Sequence, residues 1–371
     1  MEQDVAALSR RRFPVFTSER GGTASLVTGA TGFFGAALVA ALLERSADEV
    51  VCLVRAPDEE RARKRLLTHL DRHVPQVRGQ FGRLTALAGD VTDEHLGLSG
   101  AALTALTARI GRIFHAAADV NGSLPYAALR AGNVRATLHL CDLAARSGAD
   151  LHHISTTAAR TDAADGIPLE HLPSGYARSK WMAEQAVAAY RRSLPAARVL
   201  IHQLGALSAH TASGVSNPAD FRWLFLRACL DLRAAPLMEG GLCWLPVDCA
   251  AAAVAAVALA PDADAAGLPD PLPVTATGAV PWHDVFSWLR QDGHRLGVVS
   301  PDGWWRRLDA RLRTGQDEHL LALAALAPAL PAARARGDAA VWRALAALAA
   351  PETPFDRPRL RRSLRALACA P

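Results

Sequence analysis

The stretch TGATGFFG, from Thr28 to Gly35, places three glycines between the short apolar run ASLV and a longer run with helical spacing of its apolar residues. This strand–turn–helix pattern constrains the fold strongly, because each glycine has a separate task. Gly29 allows a tight turn, Gly32 lets a phosphate approach the backbone, and Gly35 lets the helix pack closely on the strand. A phosphate bound there would face the free N–H groups of the helix N-terminus. The motif therefore predicts a dinucleotide-binding turn.

Strand-like and helix-like patterns continue to alternate after this turn. The strand-like runs are VVCLV, LTALAGDV, RIFHAAADV, DLHHIST and ARVLIHQLGAL, and helical spacing separates them. This order predicts an α/β fold, a Rossmann-like, doubly wound parallel sheet with helices on both faces.

The length of 371 residues suits one large domain or two fused ones. We predict an N-terminal arm or linker over residues 1–22 and an NADPH-binding Rossmann-like domain over 23–205. The Pro/Asp-rich run PDADAAGLPDPLP and the helical spacing after it predict a mainly helical substrate-binding region over 206–371, with a segment near 243–260 returning to the first domain. Five tryptophans follow that run and are expected mostly to pack in a core: Trp282, Trp288, Trp304, Trp305 and Trp342.

Composition excludes several other classes of protein. The formal net charge is +5, but no Lys/Arg stripe is interleaved with aromatic residues, which argues against nucleic-acid binding. The six cysteines are scattered without a C-x-x-C pair, so we expect neither a metal site nor a disulfide framework. The start lacks the apolar core of a signal peptide, and the longest apolar run, CAAAAVAAVALA, is too short to cross a bilayer. We expect a soluble cytoplasmic protein with no membrane partner.

The end of the second strand-like run indicates which dinucleotide is bound. A cofactor without a 2′-phosphate would favour Asp or Glu there for the ribose hydroxyls, whereas this chain has Arg55. Three more basic residues follow, which could equally form an ordinary solvated helix face: Arg61, Lys64 and Arg65. A guanidinium binds a phosphate dianion through two hydrogen bonds, so the sequence favours NADPH. Asp90 and Val91, at the end of the next strand, could border the adenine.

A second constellation is SGYARSKWMAE, in which Tyr176 and Lys180 share one helical face. Alone, the pair could be two exposed helix residues. Beside a dinucleotide it acquires a chemical meaning, because hydride transfer to a carbonyl leaves an alkoxide that needs a proton. We expect the Lys180 ammonium to lower the pKa of the phenol from its free value of about 10. Three hydroxyl side chains upstream could polarise the carbonyl: Ser155, Thr156 and Thr157.

Together these residues resemble the extended short-chain dehydrogenase/reductase family over about residues 23–250. The segment IFHAAADVNGSLPYAALRAGNVRATLHLCDLA is similar to one in thioester reductase domains, which close nonribosomal peptide and polyketide assembly lines and also occur in carboxylic acid reductases. SGVSNPADF, LCWLPVDCAA, PWHDVFSWLRQDGHRL and GWWRRL are similar to later segments of that family. The resemblance therefore covers nearly the whole chain.

The resemblance implies a set of site residues. Thr156, Tyr176 and Lys180 correspond to the catalytic triad, and Asn133 corresponds to the residue that supports the proton relay or, alternatively, to a helix-end hydrogen bond. Besides Tyr176 and Lys180, the implied cofactor-binding residues are Gly29, Thr31, Gly32, Phe33, Gly35, Arg55, Arg65, Asp90, Val91, Ala116, Ala117 and Gly205. The sequence departs from the family pattern in three places: Ala136 replaces a glycine, QLGAL replaces an RPG-like run so that only Gly205 carries over, and LPVTAT matches poorly.

The activity implied is NADPH-dependent reductive release of a carrier-bound acyl or peptidyl thioester as an aldehyde, with a second round giving the alcohol. The implied partner is a phosphopantetheinylated carrier protein, on a separate chain or in an absent upstream domain, and the chain itself is expected to be a monomer. One alternative is an extended reductase or epimerase that acts on a free carbonyl compound or a nucleotide sugar. Another is a non-catalytic NADP-binding sensor. A thioester hydrolase is disfavoured, because no G-x-S-x-G motif is present.

Overall fold

The computed structural model describes residues 1–13, 22–160, 172, 174–260, 267–315, 320–321, 323, 338–348 and 350–368. The contacts within the chain divide it into two compact units. Unit 1 comprises Met1–Gly205, Val247–Val274 and Ala339–Pro351, and unit 2 comprises Ala206–Pro246, Thr275–Asp338 and Glu352–Pro371. Parts of the expected N-terminal arm and of the Pro/Asp-rich run, residues 14–21 and 261–266, lie outside the described residues, as does Cys369.

Unit 1 is built on a seven-stranded sheet with the order β7-β6-β5-β4-β1-β2-β3, in which all paired strands are parallel. The order grows outward in opposite directions from the neighbouring strands β1 and β4, which is the doubly wound pattern. The strands are β1 (Ala24–Thr28), β2 (Val50–Val54), β3 (Leu84–Ala88), β4 (Ile110–His115), β5 (Asp150–Thr156), β6 (Val199–Leu204) and β7 (Leu272–Val274).

Helices connect these strands and cover the sheet. They are α1 (Glu2–Arg10), α2 (Phe33–Arg45), α3 (Glu59–His73), α4 (Gly100–Arg109), α5 (Tyr126–Arg130), α6 (Ala136–Ser147), α7 (Gly175–Ser193), α8 (Val247–Leu259) and α9 (Ala339–Ala347). Short 3-10 turns lie at Pro75–Arg83, Glu94–Gly97 and Thr157–Ala159, and a π turn, Ala131–Arg135, joins α5 to α6.

Burial explains the long apolar runs in the first strands and in helix α2. Every residue of β1 and of β2 is buried, so β2 is continuously apolar instead of alternating, and β1 buries its two polar residues, Ser25 and Thr28, as well. Helix α2 is buried from Gly35 to Leu43, and it packs against the Ala-rich helix α8. The predicted fold class is confirmed.

Residues 2–10, which the sequence suggests to be part of an arm, instead form helix α1 packed on unit 1. Leu8 is buried in a small apolar cluster that contains Val134 and Met182. The carboxylate of Asp4 accepts hydrogen bonds from Tyr126 Oη at 2.6 Å and from Arg130 Nε at 2.8 Å. The amphipathic spacing within this short, polar stretch is a weak signal beside these tertiary contacts.

Unit 2 contains short strand pairs, four described helices and an aromatic core. Its helices are Phe221–Asp231, Trp282–Gln291, Pro301–Thr314 and Arg357–Ala368. The strand pairs are Ala206–Ser208 with Trp244–Pro246, Gly241–Leu242 with Val280–Pro281, and Ala234–Pro236 with Gly297–Val299. Among the predicted core tryptophans, Trp282 and Trp304 are buried in this unit, whereas Trp342 lies on α9 and therefore in unit 1.

None of the helices in the described part of the chain combines the length and the apolar character that a bilayer crossing requires.

Candidate active site

All predicted site residues lie in unit 1, and most of them follow the carboxyl ends of its strands. Gly29 follows β1, Arg55 follows β2, Ala116 follows β4, and Gly205 follows β6, while Thr156 is the last residue of β5. Because the strands are parallel, their carboxyl ends lie along one edge of the sheet, which is where open α/β sheets bind ligands. The fold thus brings residues far apart in sequence to one edge.

The three glycines of the turn are required for different reasons. Gly29 has φ +76°, and a Cβ there would lie 2.7 Å from the backbone of Ala116 and Ala117. A Cβ at Gly35 would lie 2.0 Å from the carbonyl oxygen of Gly29, so this position fixes the close approach of α2 to the turn. A Cβ at Gly32 would meet only the Gly29 oxygen at 3.1 Å. Gly32 is therefore the position that faces open space.

The N-terminus of α2 can receive an anion at that open space. Gly32 is exposed and is the N-cap residue of α2, and as a glycine it has no side chain that could cap the helix. Thr31 and Phe33 flank it and are half-buried. Uncapped N–H groups at a helix N-terminus bind phosphate, so the turn fits the pyrophosphate of a dinucleotide.

A chain of hydrogen bonds joins the end of β1, just before the turn, to the end of β4 and to α6. Thr137 Oγ1 donates to the carbonyl oxygen of Asn133 at 2.7 Å, so it accepts from His115 Nε2 at 3.2 Å. The other ring nitrogen of His115 then accepts from Thr28 Oγ1 at 2.9 Å. Thr28 Oγ1 also accepts the backbone N–H of Ala117 at 3.2 Å. Burial lowers the pKa of His115 to about 3, so this ring remains neutral.

Arg55 projects from the end of β2 with its side chain 74% exposed, and its Nε lies 2.8 Å from Asp90 Oδ2. Asp90 Oδ1 accepts from the backbone N–H and the hydroxyl of Thr92 at 2.9 and 2.8 Å. Arg65 donates to the carbonyl oxygen of Arg55 at 2.6 Å, whereas Arg61 is paired with Asp58. The structure thus brings together Arg55, Arg65 and Asp90, with Asp90 holding the guanidinium of Arg55.

Helix α7 carries the predicted Tyr/Lys pair. The Ser174 hydroxyl accepts the Ala177 N–H at 3.1 Å and caps the helix just before Tyr176. Tyr176 is half-buried, and burial raises the pKa of its phenol to about 12. Lys180 is 2% exposed and donates from Nζ to the Ile154 carbonyl oxygen at 2.7 Å. Burial lowers the pKa of its ammonium to about 8.

The expectation that Lys180 lowers the pKa of Tyr176 is not met in this structure. The ammonium is directed at β5 through Ile154, and burial of the phenol determines the direction of the Tyr176 shift. Desolvation disfavours the phenolate and the ammonium alike, so it raises the phenol's pKa and lowers that of the ammonium. Tyr176 is consequently a protonated hydrogen-bond donor at neutral pH.

The three upstream hydroxyls have different environments. Ser155 Oγ donates to Glu184 Oε1 at 2.5 Å inside the protein, so it is committed to a buried network. Thr156 is half-buried at the end of β5, where its Oγ1 accepts the Ala158 N–H at 3.3 Å. Thr157 is half-buried in the 3-10 turn that follows. Thr156 and Thr157 are thus the two hydroxyl residues at this strand end that lie outside the buried Ser155–Glu184 contact.

Asn133 lies in the π turn and is completely buried. Its Oδ1 accepts the Asp119 N–H at 2.7 Å, and its Nδ2 donates to the Asp119 carbonyl oxygen at 2.9 Å and to Ser179 Oγ at 2.8 Å. The amide therefore ties the segment after β4 to helix α7.

Two further predicted cofactor-site residues, Val91 and Gly205, are held through their backbones. The Val91 carbonyl oxygen lies 3.0 Å from His139 Nδ1, and the Gly205 N–H donates to the Val274 carbonyl oxygen at 3.0 Å. Both residues are half-buried. In the ranges that the structure describes, no three His, Cys, Asp or Glu side chains cluster as metal ligands.

Sequence reasoning missed Glu184, Gln203 and His153. The carboxylate of Glu184 is buried beside Ser155 and accepts from Gln203 Nε2 at 3.0 Å, and burial raises its pKa. Glu184 follows Lys180 by one helical turn, which was the available signal. Gln203 faces Ser155 in the register of β5 and β6, which a single sequence does not display.

The chain is similar to known proteins over most of its length. The family model described as male sterility protein matches residues 27–254. Isonitrile lipopeptide synthase of Streptomyces coeruleorubidus is 35% identical over 291 residues, which make up 76% of this chain and 19% of that protein. A linear gramicidin synthase of Brevibacillus parabrevis is 31% identical over 294 residues, or 76% of this chain and 6% of that protein. The chain thus spans less than a fifth of the length of either relative.

A solved structure agrees along the whole chain. The terminal R domain from the myxalamid PKS-NRPS biosynthetic pathway superposes with a TM-score of 0.85 and 26% identity. The alignment covers 99% of this chain and 96% of that domain.

Proposed function

Since the chain belongs to the male sterility protein family, we propose that it is an NADPH-dependent reductase that releases an acyl or peptidyl group from a carrier-protein thioester as an aldehyde. The resemblance to extended short-chain dehydrogenases/reductases and thioester reductase domains is confirmed by the family match and by the similarity to a terminal R domain. The chain is an NAD(P)-dependent oxidoreductase of the extended short-chain type. We propose NADPH as its cofactor, a thioester as its substrate and a carrier protein as its partner.

The residues at the glycine turn fit a bound dinucleotide. A pyrophosphate would lie at Gly32 against the N-terminus of α2, where a side chain would occupy its place. A 2′-phosphate would meet the exposed guanidinium of Arg55, which Asp90 and Arg65 hold at the end of β2. The absence of Asp or Glu from the end of β2 supports NADPH over NADH. When bound, NADPH supplies the hydride that reduces the thioester carbonyl.

Thr156 and Tyr176 would hold the carbonyl oxygen of the substrate. The thioester oxygen gains negative charge when its carbon is reduced, and two hydroxyl donors stabilise that charge. Tyr176 then gives up its phenolic proton to this oxygen. Its raised pKa keeps the phenol protonated across the physiological range, and the negative charge that develops on the substrate oxygen draws the proton from this weak acid.

Lys180 would complete the site from the same helical face as Tyr176. Its ammonium is held at the Ile154 carbonyl oxygen, and because an ammonium has three N–H donors, it would also donate to a hydroxyl of the bound nicotinamide ribose. Breakdown of the tetrahedral product breaks the C–S bond, and the phosphopantetheine thiol leaves with a proton while the aldehyde is freed. A second round on the aldehyde would give the alcohol.

The single observation that carries the proposal is the placement of Tyr176, a half-buried and protonated phenol, in the same unit as an anion-receptive glycine turn. Two of the relatives are named as an isonitrile lipopeptide synthase and a linear gramicidin synthase subunit, and the solved relative is a terminal R domain from a PKS-NRPS biosynthetic pathway. A carrier protein that presents the acyl group on phosphopantetheine is the substrate consistent with those names. We propose that the chain acts on it as a monomer.

The test is product analysis with carrier-loaded acyl groups. The protein is mixed with NADPH and a panel of acyl-phosphopantetheinyl carrier proteins, and the released products are trapped and identified by mass spectrometry. We expect one NADPH to be consumed for each aldehyde formed and two for each alcohol formed. Tyr176→Phe should lower kcat by about 100-fold or more while NADPH still binds, because one proton donor is lost. NADPH oxidation with free ketones or nucleotide sugars, and none with any thioester, would instead establish the free-substrate alternative.

A further inference from the structure

Lys180 is buried from solvent, which is unusual for an ammonium group. Its side chain is 2% exposed, and among the residues that the structure describes it donates to the carbonyl oxygen of Ile154 at 2.7 Å. An ammonium has three N–H donors and accepts no hydrogen bond. Its next neighbour on β5 is the ring of His153, whose Nε2 lies 3.4 Å from Nζ.

The His153 ring is completely buried and remains neutral, because burial and the charge of Lys180 both hold its pKa well below the ordinary value. A neutral imidazole has one N–H and one lone pair. Since Lys180 donates, the lone pair must be on Nε2 and the proton on Nδ1. His153 Nδ1 has no hydrogen-bond partner among the described residues. By contrast, both ring nitrogens of His115 on the neighbouring strand are satisfied.

An unpartnered buried nitrogen is unfavourable and needs an explanation. The arrangement at His153 leaves Nδ1 unsatisfied while it places the Nε2 lone pair towards the ammonium. We propose that His153 is a positioning residue, whose Nε2 acts with the Ile154 carbonyl oxygen to fix the Lys180 ammonium in place and to keep it protonated where water is excluded. The inference deepens the proposed function, on which its catalytic meaning rests.

The other groups that face Lys180 do not replace this contact. Glu184, one turn further along α7, favours the ammonium through its charge, but it is committed to Ser155 and Gln203. Tyr176, one turn earlier, is a neutral phenol at neutral pH. His115 on β4 is neutral and bonded to Thr28 and Thr137. Lys180 and Glu184 are therefore the groups beside β5 whose pKa values burial shifts towards neutral pH.

The lysine content of the chain makes a direct test possible. Lys64 and Lys180 are the two lysines of the sequence, so protein labelled with 13C at the lysine Cε gives two NMR signals. Lys64 is exposed on α3 and serves as an internal reference. No substrate or cofactor is added, so the outcome is independent of whether the chain reduces a thioester.

In the wild-type protein we expect the Lys180 signal to titrate with a midpoint of about 8. In His153→Phe, which keeps a ring but removes the lone pair, the midpoint should fall by about one pH unit, since the charged form loses an acceptor. His153→Gln can still offer an oxygen acceptor, so its midpoint should return to near the wild-type value. The matched control is His152→Phe, on the same strand, whose ring contacts His202 and Phe114 and not Lys180.

Two results would overturn the proposal. One is a folded His153→Phe protein whose Lys180 midpoint equals that of the wild type. The other is a folded His153→Gln protein whose Lys180 midpoint stays as low as that of His153→Phe, which would show that an acceptor at this position does not hold the ammonium. Should the phenyl ring prevent folding, His153→Leu is smaller and carries the same expectation. In the reductase assay, the loss of kcat at alkaline pH should move down by the same amount, whereas the KM for NADPH should change less.

Discussion

Asn133 Nδ2 donates to Ser179 Oγ at 2.8 Å, and Ser179 in turn donates to the Tyr176 carbonyl oxygen at 2.8 Å. The π turn and the first turn of α7 are thus joined through one amide. The same amide also satisfies both backbone groups of Asp119. Its contacts explain why a polar residue is completely buried at this position.

Replacing Asn133 should therefore cost both stability and activity. We expect Asn133→Leu to lower the free energy of unfolding by about 2–3 kcal/mol, because the Asp119 N–H loses its acceptor. The value of kcat should also fall, since the first turn of α7 is no longer held. Urea denaturation and steady-state kinetics measure the two effects. Asn121→Ala, an exposed amide in the same segment, is the control and should cost less than about 1 kcal/mol. Equal effects from the two variants would contradict this role.

The glycines of the turn should separate folding from cofactor binding. Gly35→Ala places a Cβ 2.0 Å from a backbone oxygen, so we expect a loss of about 3 kcal/mol or more in unfolding free energy. Gly32→Ala meets nothing closer than 3.1 Å and should change that free energy by about 1 kcal/mol or less. Its Kd for NADPH should nevertheless rise about tenfold or more, because the methyl group occupies the space for pyrophosphate. Thermal denaturation and fluorescence titration with NADPH measure the pair. A Gly32→Ala protein that binds NADPH normally would place the phosphates elsewhere.

Arg55 should determine the preference for the phosphorylated cofactor. We expect Arg55→Ser to raise the Kd for NADPH by about 10- to 100-fold, because a charge-assisted hydrogen bond to the 2′-phosphate is lost. The Kd for NADH should stay nearly unchanged. Titration of both cofactors tests this. Arg72→Ser, in the last turn of α3, is the control and should alter neither value. Parallel weakening of NADPH and NADH would show that Arg55 does not read the 2′-phosphate.

Lys180 should make the stability of the protein rise with pH. Its folded pKa of about 8 lies below the unfolded value of about 10.4, so between these values the unfolded chain binds more protons. The free energy of unfolding is therefore lowered by the buried ammonium below this window, and it increases as the pH rises through the window. From about pH 7 to about pH 9.5 the wild type should gain about 2 kcal/mol relative to Lys180→Met. Urea denaturation of both proteins at the two pH values provides the measurement, and parallel pH dependences would refute the buried ammonium.

Much of the fold could be read from the sequence, because local pattern and tertiary placement agree there. The alternating runs predicted the parallel sheet, and the strand ends at Thr28, Val54 and Thr156 indicated which residues share an edge. The glycine turn could be predicted for the same reason. The spacing of its glycines reflects close backbone contacts at Gly29 and Gly35 and open space at Gly32. The family assignment rested on these residues and is confirmed.

The parts that could not be predicted depend on distances between segments. The direction of the Tyr176 pKa shift follows from burial, whereas the sequence shows only that Lys180 is one turn away. The Ser155–Glu184–Gln203 network requires the register of β5 and β6. Helix α1 is held by Asp4 at Arg130 and Tyr126, more than a hundred residues away in sequence. No local pattern carries such information.

The spacing of Tyr176, Lys180 and Glu184 along α7 limits how this chain can diverge. Each step of four residues returns to nearly the same side of a helix, and one inserted residue rotates everything beyond it by about 100°. An insertion before Gly175 would leave the three side chains in phase, whereas one between Tyr176 and Glu184 would turn the carboxylate away from β6. Homologues should therefore tolerate changes of length ahead of this helix and conserve its residue count through Glu184.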